Sequence, residues 1–154
     1  MPAPILFLSA GGLGFLPKMP GTYGSLGGLI LALIIPSLWL GIAACALLLF
    51  SIVLINHLMK KGIIEQSDPS WIVIDEVVGQ MIPFIFIGTS SWFLILLSFI
   101  LFRFFDISKI GWVGKIERLC EKSPNTHALG VMMDDVVAGL FATGIVYLIA
   151  HLSY

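Results

Sequence analysis

Asp75, Glu76, Asp106, Asp134 and Asp135 are carboxylates set in or beside apolar segments. Asp75–Glu76 and Asp134–Asp135 are adjacent pairs, in Val73-Ile74-Asp75-Glu76-Val77-Val78-Gly79 and Val131-Met132-Met133-Asp134-Asp135-Val136-Val137. A carboxylate at an apolar boundary is costly to desolvate unless it meets a cation. Convergence on a divalent metal explains all of them at once, and hard carboxylate oxygens suit Mg2+ or Mn2+. Neighbours on a helix point about 100° apart, so one member of each pair faces such a site squarely. The other ligates through water or serves a second metal. Capping and pairing with Lys or Arg is the plainer role for any one of them.

Other groups suit an anion beside such a metal. Arg103 and Asp106 are three apart, hence neighbours on one helical face. They form an ion pair, or Arg103 binds a phosphate oxygen next to a metal held by Asp106. Residues 11–28 are rich in glycine and contain Lys18, Thr22 and Ser25. Such a loop can curl its N–H groups around an anion, with Lys18 adding charge and Thr22 or Ser25 adding hydroxyls at a helix start. Close helix packing by small residues is the competing reading. The spacing is not that of a Walker loop. His127, just before the second acidic pair, is a candidate acid, ligand or bystander. Together these parts suit phosphoryl chemistry on a lipid. A Cys-x5-Arg phosphatase loop fails because Thr126 stands six residues after Cys120. Neither Lys-x6-Arg-Pro nor Asp-Gly-x2-Ala-Arg occurs.

The elements that must position these groups are apolar helices. Of the 154 residues, 58% are hydrophobic and 11% charged, and the mean hydropathy is +1.05. A soluble domain carries about 25% charged residues, and one short chain cannot hide this much apolar surface in a core. An integral membrane protein of one domain, residues 1–154, is predicted. A net charge of -1 excludes a nucleic-acid binder. The apolar run at residues 1–10 lacks a basic flank, so no cleaved signal is expected.

Apolar segments run from Ser25 to about Leu38 and on to His57, too long for one span of roughly 20 residues. They are expected to form a hairpin turning near Pro36 to Gly41. A third helix starts near Trp71, capped by Asp68 or Ser70, carries Asp75 and Glu76, and runs towards Ile87 with Pro83 as a kink. A fourth covers Trp92 to Phe105. A polar loop fills Ser108 to Thr126, and a last helix runs from near Val131 to about His151. The fold class is therefore all-α, a bundle of about four to five membrane-embedded helices. With a cytoplasmic N-terminus, Lys18, Lys60, Lys61, Lys109, Lys115, Arg118 and Lys122 fall on one side, as the positive-inside rule asks. The five carboxylates come out at that same cytoplasmic level. Trp71, Trp92 and Trp112 are candidate interfacial anchors. A divalent-cation or proton-coupled transporter is the rival of another class, but it needs acidic groups near the midplane.

Four blocks then carry a resemblance: Pro20-Gly21-Thr22-Tyr23-Gly24-Ser25-Leu26, Val73-Ile74-Asp75-Glu76-Val77-Val78-Gly79, Phe104-Phe105-Asp106-Ile107, and residues 129–139 with Asp134-Asp135. In type and order the chain resembles the bacterial phosphatidylglycerophosphatase A family. It departs where that family has Lys-Pro, since Ile110 follows Lys109. The resemblance implies an all-helical, Mg2+-dependent phosphatase of the bacterial cytoplasmic (inner) membrane. Its substrate would be phosphatidylglycerophosphate, released as phosphatidylglycerol and phosphate.

Overall fold

The computed structural model describes residues 1–64, 69–109 and 127–152. The predicted cap at Asp68 and the loop carrying Trp112, Lys115, Arg118 and Lys122 lie outside the described residues. The described residues form helices and no strand. Short α1 (Ala3–Leu8) and a 3-10 turn (Leu13–Phe15) precede α2 (Pro20–Ile34), α3 (Ser37–Lys60), α4 (Ile74–Ile87), α5 (Trp92–Ser108) and α6 (His127–Leu152).

The punctuation follows from local chemistry. Pro20 occupies the first turn of α2, where its missing N–H is not needed. Ile35 is extended (φ -97, ψ 127), as a residue before proline tends to be, and Pro36 leads into α3. The hairpin therefore turns at Ile35–Pro36, at the near edge of the predicted turn. Gly88 leaves α4 at φ +71, open to glycine at no steric cost.

Three boundaries differ from expectation. Helix α2 begins at Pro20, so Gly21, Gly24, Gly27 and Gly28 are helical and only the first part of the glycine-rich segment is a loop. Helix α4 begins at Ile74 rather than near Trp71. Trp71 instead stacks on Phe15 with ring centroids 5.9 Å apart. Helix α6 begins at His127, a turn before Val131.

Helix α4 is the axis of the bundle. It packs against α2, α3, α5 and α6, and Val77 to Phe84 are all buried. Three glycine crossings let the neighbours come close. A Cβ on Gly79 would fall 2.6 Å from the Phe102 ring and 2.8 Å from the Asp135 carbonyl oxygen. A Cβ on Gly139 would strike the Gly79 carbonyl, and one on Gly24 would lie 2.8 Å from that of Val73. The outward faces are apolar: Leu33 and Ile34 on α2, Leu49 and Val53 on α3, Phe93 and Leu96 on α5, and Leu140 and Leu148 on α6 are exposed. The buried set includes Ser25, Asp75, Gln80, Asp134 and Asp135. These polar groups are set into an otherwise apolar interior, and apolar outward faces suit contact with lipid. By length and composition, α3 and residues Ala128–Leu152 of α6 are able to cross a membrane. These two apolar helices suggest membrane association. Helix α2 is apolar but shorter, and α4 has 14 residues, about 21 Å at 1.5 Å each.

Candidate metal and phosphate site

Helix α4 sets Asp75 and Glu76 in its first turn, where free N–H groups and the helix dipole favour negative charge. The Glu76 N–H donates to Asp75 Oδ1 at 3.1 Å. The crossing at Gly79 and Gly139 brings the second acidic pair alongside. One oxygen each from Asp75, Glu76 and Asp135 then lies within 4.8 Å of the others. Asp75 and Asp135 are 6% and 3% exposed. Asp106 stands next to this trio, close enough for its charge to act on both Asp135 and Glu76.

The cations form the other wall. Arg103 pairs with Asp106 one turn along α5. Its Nη1 also donates to Ser25 Oγ at 3.4 Å, while the Ser25 hydroxyl donates to the Gly21 carbonyl at 2.9 Å. Gly21 leaves room for both side chains, since a Cβ there would displace the Glu76 carboxylate and lie 3.2 Å from Arg103 Nη1. Lys109 closes the end of α5 in a left-handed conformation, φ +46, and its Nζ lies 3.4 Å from Asp134 Oδ2. Lys18 also has positive φ, +77, a conformation that costs a non-glycine residue energy and gathers at working sites. A cleft of 350 Å³ joins these parts, with Lys18, Gly21, Asp75, Glu76, Arg103, Asp106 and Lys109 in its lining.

All five predicted carboxylates thus belong to one neighbourhood, but not equally. Asp75, Glu76 and Asp135 form the tight group, Asp106 is tied to Arg103, and Asp134 faces Lys109. Of the predicted phosphate-binding residues, Lys18 and Arg103 line the cleft. Ser25 is wholly buried behind Arg103, and Thr22 is half-buried and is not part of the lining. The backbone of His127 opens α6; its side chain lies outside the described residues. Sequence reasoning left Lys109 in a loop and missed its grip on Asp134. The only signal was its place directly after the α5 acidic block.

The donor set fits a divalent cation. It consists of three hard oxygen donors held close together, on buried Asp75 and Asp135 and half-buried Glu76. Charges gathered in a medium poorer than water repel strongly unless a cation lies among them.

Buried carboxylates facing Lys and Arg across a cleft, in a helical bundle with apolar flanks, are the equipment of an enzyme that handles phosphate groups near a membrane. The comparisons give the particular family. A profile of phosphatidylglycerophosphatase A matches residues 6–150, and the chain belongs to that family of phosphatases. It is 38% identical over 152 residues to a phosphatidylglycerophosphatase A of Haemophilus influenzae, covering 96% of this chain and 90% of the relative. To the Escherichia coli protein of the same name it is 30% identical over 145 residues, 91% of this chain and 79% of that one. A relative from Bacteroides thetaiotaomicron is 35% identical over 147 residues, 90% and 88% of the two chains, and bears a provisional phosphatidylinositol-3-phosphatase name. No solved structure matches the chain.

Proposed function

We propose that this protein hydrolyses phosphatidylglycerophosphate to phosphatidylglycerol and phosphate, with Mg2+, at the cytoplasmic face of a bacterial inner membrane. One observation carries the reading: three carboxylate oxygens within 4.8 Å of one another, beside a cleft lined by Lys18, Arg103 and Lys109. Asp75, Glu76 and Asp135 would hold the cation, with Asp106 and Asp134 flanking them. Once bound there, Mg2+ would supply positive charge against the phosphate and acidify water nearby. Arg103 and Lys18 bind the phosphate oxygens and orient the monoester. Ser25 steadies Arg103 from behind. Asp106, held by Arg103 at the edge of the trio, takes a proton from the attacking water. The phosphorus–glycerol oxygen bond breaks, and the departing oxygen receives that proton.

Helices α2 to α6 are membrane-embedded in this reading, and the acyl chains of the substrate lie along their apolar flanks. The basic residues Lys18, Lys60, Lys61 and Lys109 favour a cytoplasmic site. A transporter is disfavoured, because Asp75 and Glu76 occupy a helix start and Asp106 a helix end.

The test uses purified protein in detergent with phosphatidylglycerophosphate, and Mg2+ or EDTA. Phosphate release with Mg2+, lost with EDTA and restored by added metal, is the expected result. Release undiminished by EDTA would remove the metal. Turnover of phosphatidylinositol 3-phosphate but not of phosphatidylglycerophosphate would move the substrate to that of the Bacteroides name.

A further inference from the structure

Gln80 is the anomaly of the bundle. It lies in the middle of α4 at 0% exposure, yet neither Oε1 nor Nε2 of its amide has a hydrogen-bond partner. An apolar side chain of the same length would fill that place without stranding two polar atoms. Nearly all buried polar groups find partners in protein or internal water. Gln80 follows Glu76 by four residues, so it lies on the same helical face, about 6 Å further in. Both side chains border α2. A Cβ on Gly28 would come within 3.1 Å of Gln80 Cβ, and one on Gly24 within 3.3 Å of Glu76 Cβ. Arg103 borders the same helix at Gly21 and Ser25.

Two further buried atoms on these side chains also lack partners, Glu76 Oε2 and Arg103 Nε. The four atoms are complementary. Gln80 Nε2 and Arg103 Nε are donors, and Gln80 Oε1 and Glu76 Oε2 are acceptors. One water donates twice and accepts twice, which is the capacity this set leaves open. A buried water commonly makes about three such bonds.

We propose that Gln80 is a positioning residue for the acidic centre: it holds an internal water against Glu76 and Arg103, and that water fixes the Glu76 carboxylate beside Asp75 and Asp135. Gln80 touches neither substrate nor cation. It acts by denying Glu76 the rotation that would carry its oxygen away from the trio. Groups that orient ligating carboxylates typically govern metal affinity by 10–100-fold. The inference rests on the metal reading given above, and its test separates the two.

The test measures Mn2+ bound to the purified chain in detergent by electron paramagnetic resonance, without lipid and without turnover. Gln80→Met keeps the side-chain length and removes the amide. It is expected to weaken Mn2+ binding by about 10–100-fold, with a thermal unfolding midpoint unchanged or raised. In a Glu76→Gln background the same substitution is expected to change the affinity less than about twofold, because the group through which it acts is already altered. Affinity equal to that of the unaltered chain, or a full additional loss in the Glu76→Gln background, would overturn the positioning role. Absence of Mn2+ binding by the unaltered chain would overturn the metal reading, and this inference with it. If Gln80→Met does not fold, Gln80→Leu takes its place in the same cycle.

Discussion

The two acidic pairs, Asp75-Glu76-Val77-Val78-Gly79 and Asp134-Asp135-Val136-Val137-Ala138-Gly139, look alike on the page and live differently in the fold. Their local geometry is shared. In each, Oδ1 of the first Asp accepts the N–H of the second residue, at 3.1 Å and 3.0 Å. Their settings are not. The first pair opens α4, where unclaimed N–H groups favour negative charge. The second lies about two turns inside α6, beyond that help. There Asp134 meets Lys109 instead, at 3.4 Å. Both members of the first pair join the tight trio, and only Asp135 of the second does. A helix start gives both of its acids, buried Asp75 and half-buried Glu76, to the centre; a helix interior buries both of its own but gives only one, and the other is tied to a lysine.

The largest effect expected from breaking this arrangement is that of Asp135→Asn. It removes the one acid that α6 gives to the trio, and turnover should fall by about a thousandfold, read as phosphate release. The melting temperature should hold or rise, since a charge leaves a crowded acidic site. Activity within tenfold of the unaltered chain would refute the unequal roles. Gly79→Ala attacks the crossing that brings the pairs together. The added methyl meets Phe102 and the Asp135 carbonyl, so it should cost about 1–3 kcal/mol in chemical unfolding and lower activity as α6 is pushed away. A neutral result would mean the helices are looser than drawn. Lys109→Met is the mildest. It removes the lysine contact from Asp134 without touching the trio, and a roughly tenfold loss is expected, equivalent to about 1.4 kcal/mol. Combined with Asp134→Asn it should cost little more than either alone.

Much of this was legible in the sequence. The apolar runs marked five helices, and the acidic pairs marked residues that the fold brings together. For the glycine-rich segment the sequence allowed either an anion loop or close helix packing, and Gly21, Gly24 and Gly28 of α2 take the second although glycine weakens an isolated helix. Their spacing puts them on one helical face, and tertiary packing against Val73, Glu76 and Val77 outweighs propensity. Ser25 had a hydroxyl suited to phosphate, but only the fold reveals that Arg103 stands between. The division of labour within each acidic pair was not legible either. It depends on where the helix starts, and α6 starts earlier than its apolar run suggested. Gln80 carried no signal beyond being an amide among Val78, Gly79, Met81 and Ile82.

The sheathing of α4 also bears on how the protein is made. A 14-residue helix with two acids in its first turn, a glutamine and a proline is a poor candidate to enter lipid alone. It becomes tolerable only when α2, α3, α5 and α6 surround it. Helix α6 is the last of these to leave the ribosome, and it also completes the acidic trio. Burial of the central helix and completion of the acidic trio therefore both wait on α6, and a chain halted before it has an unfinished core.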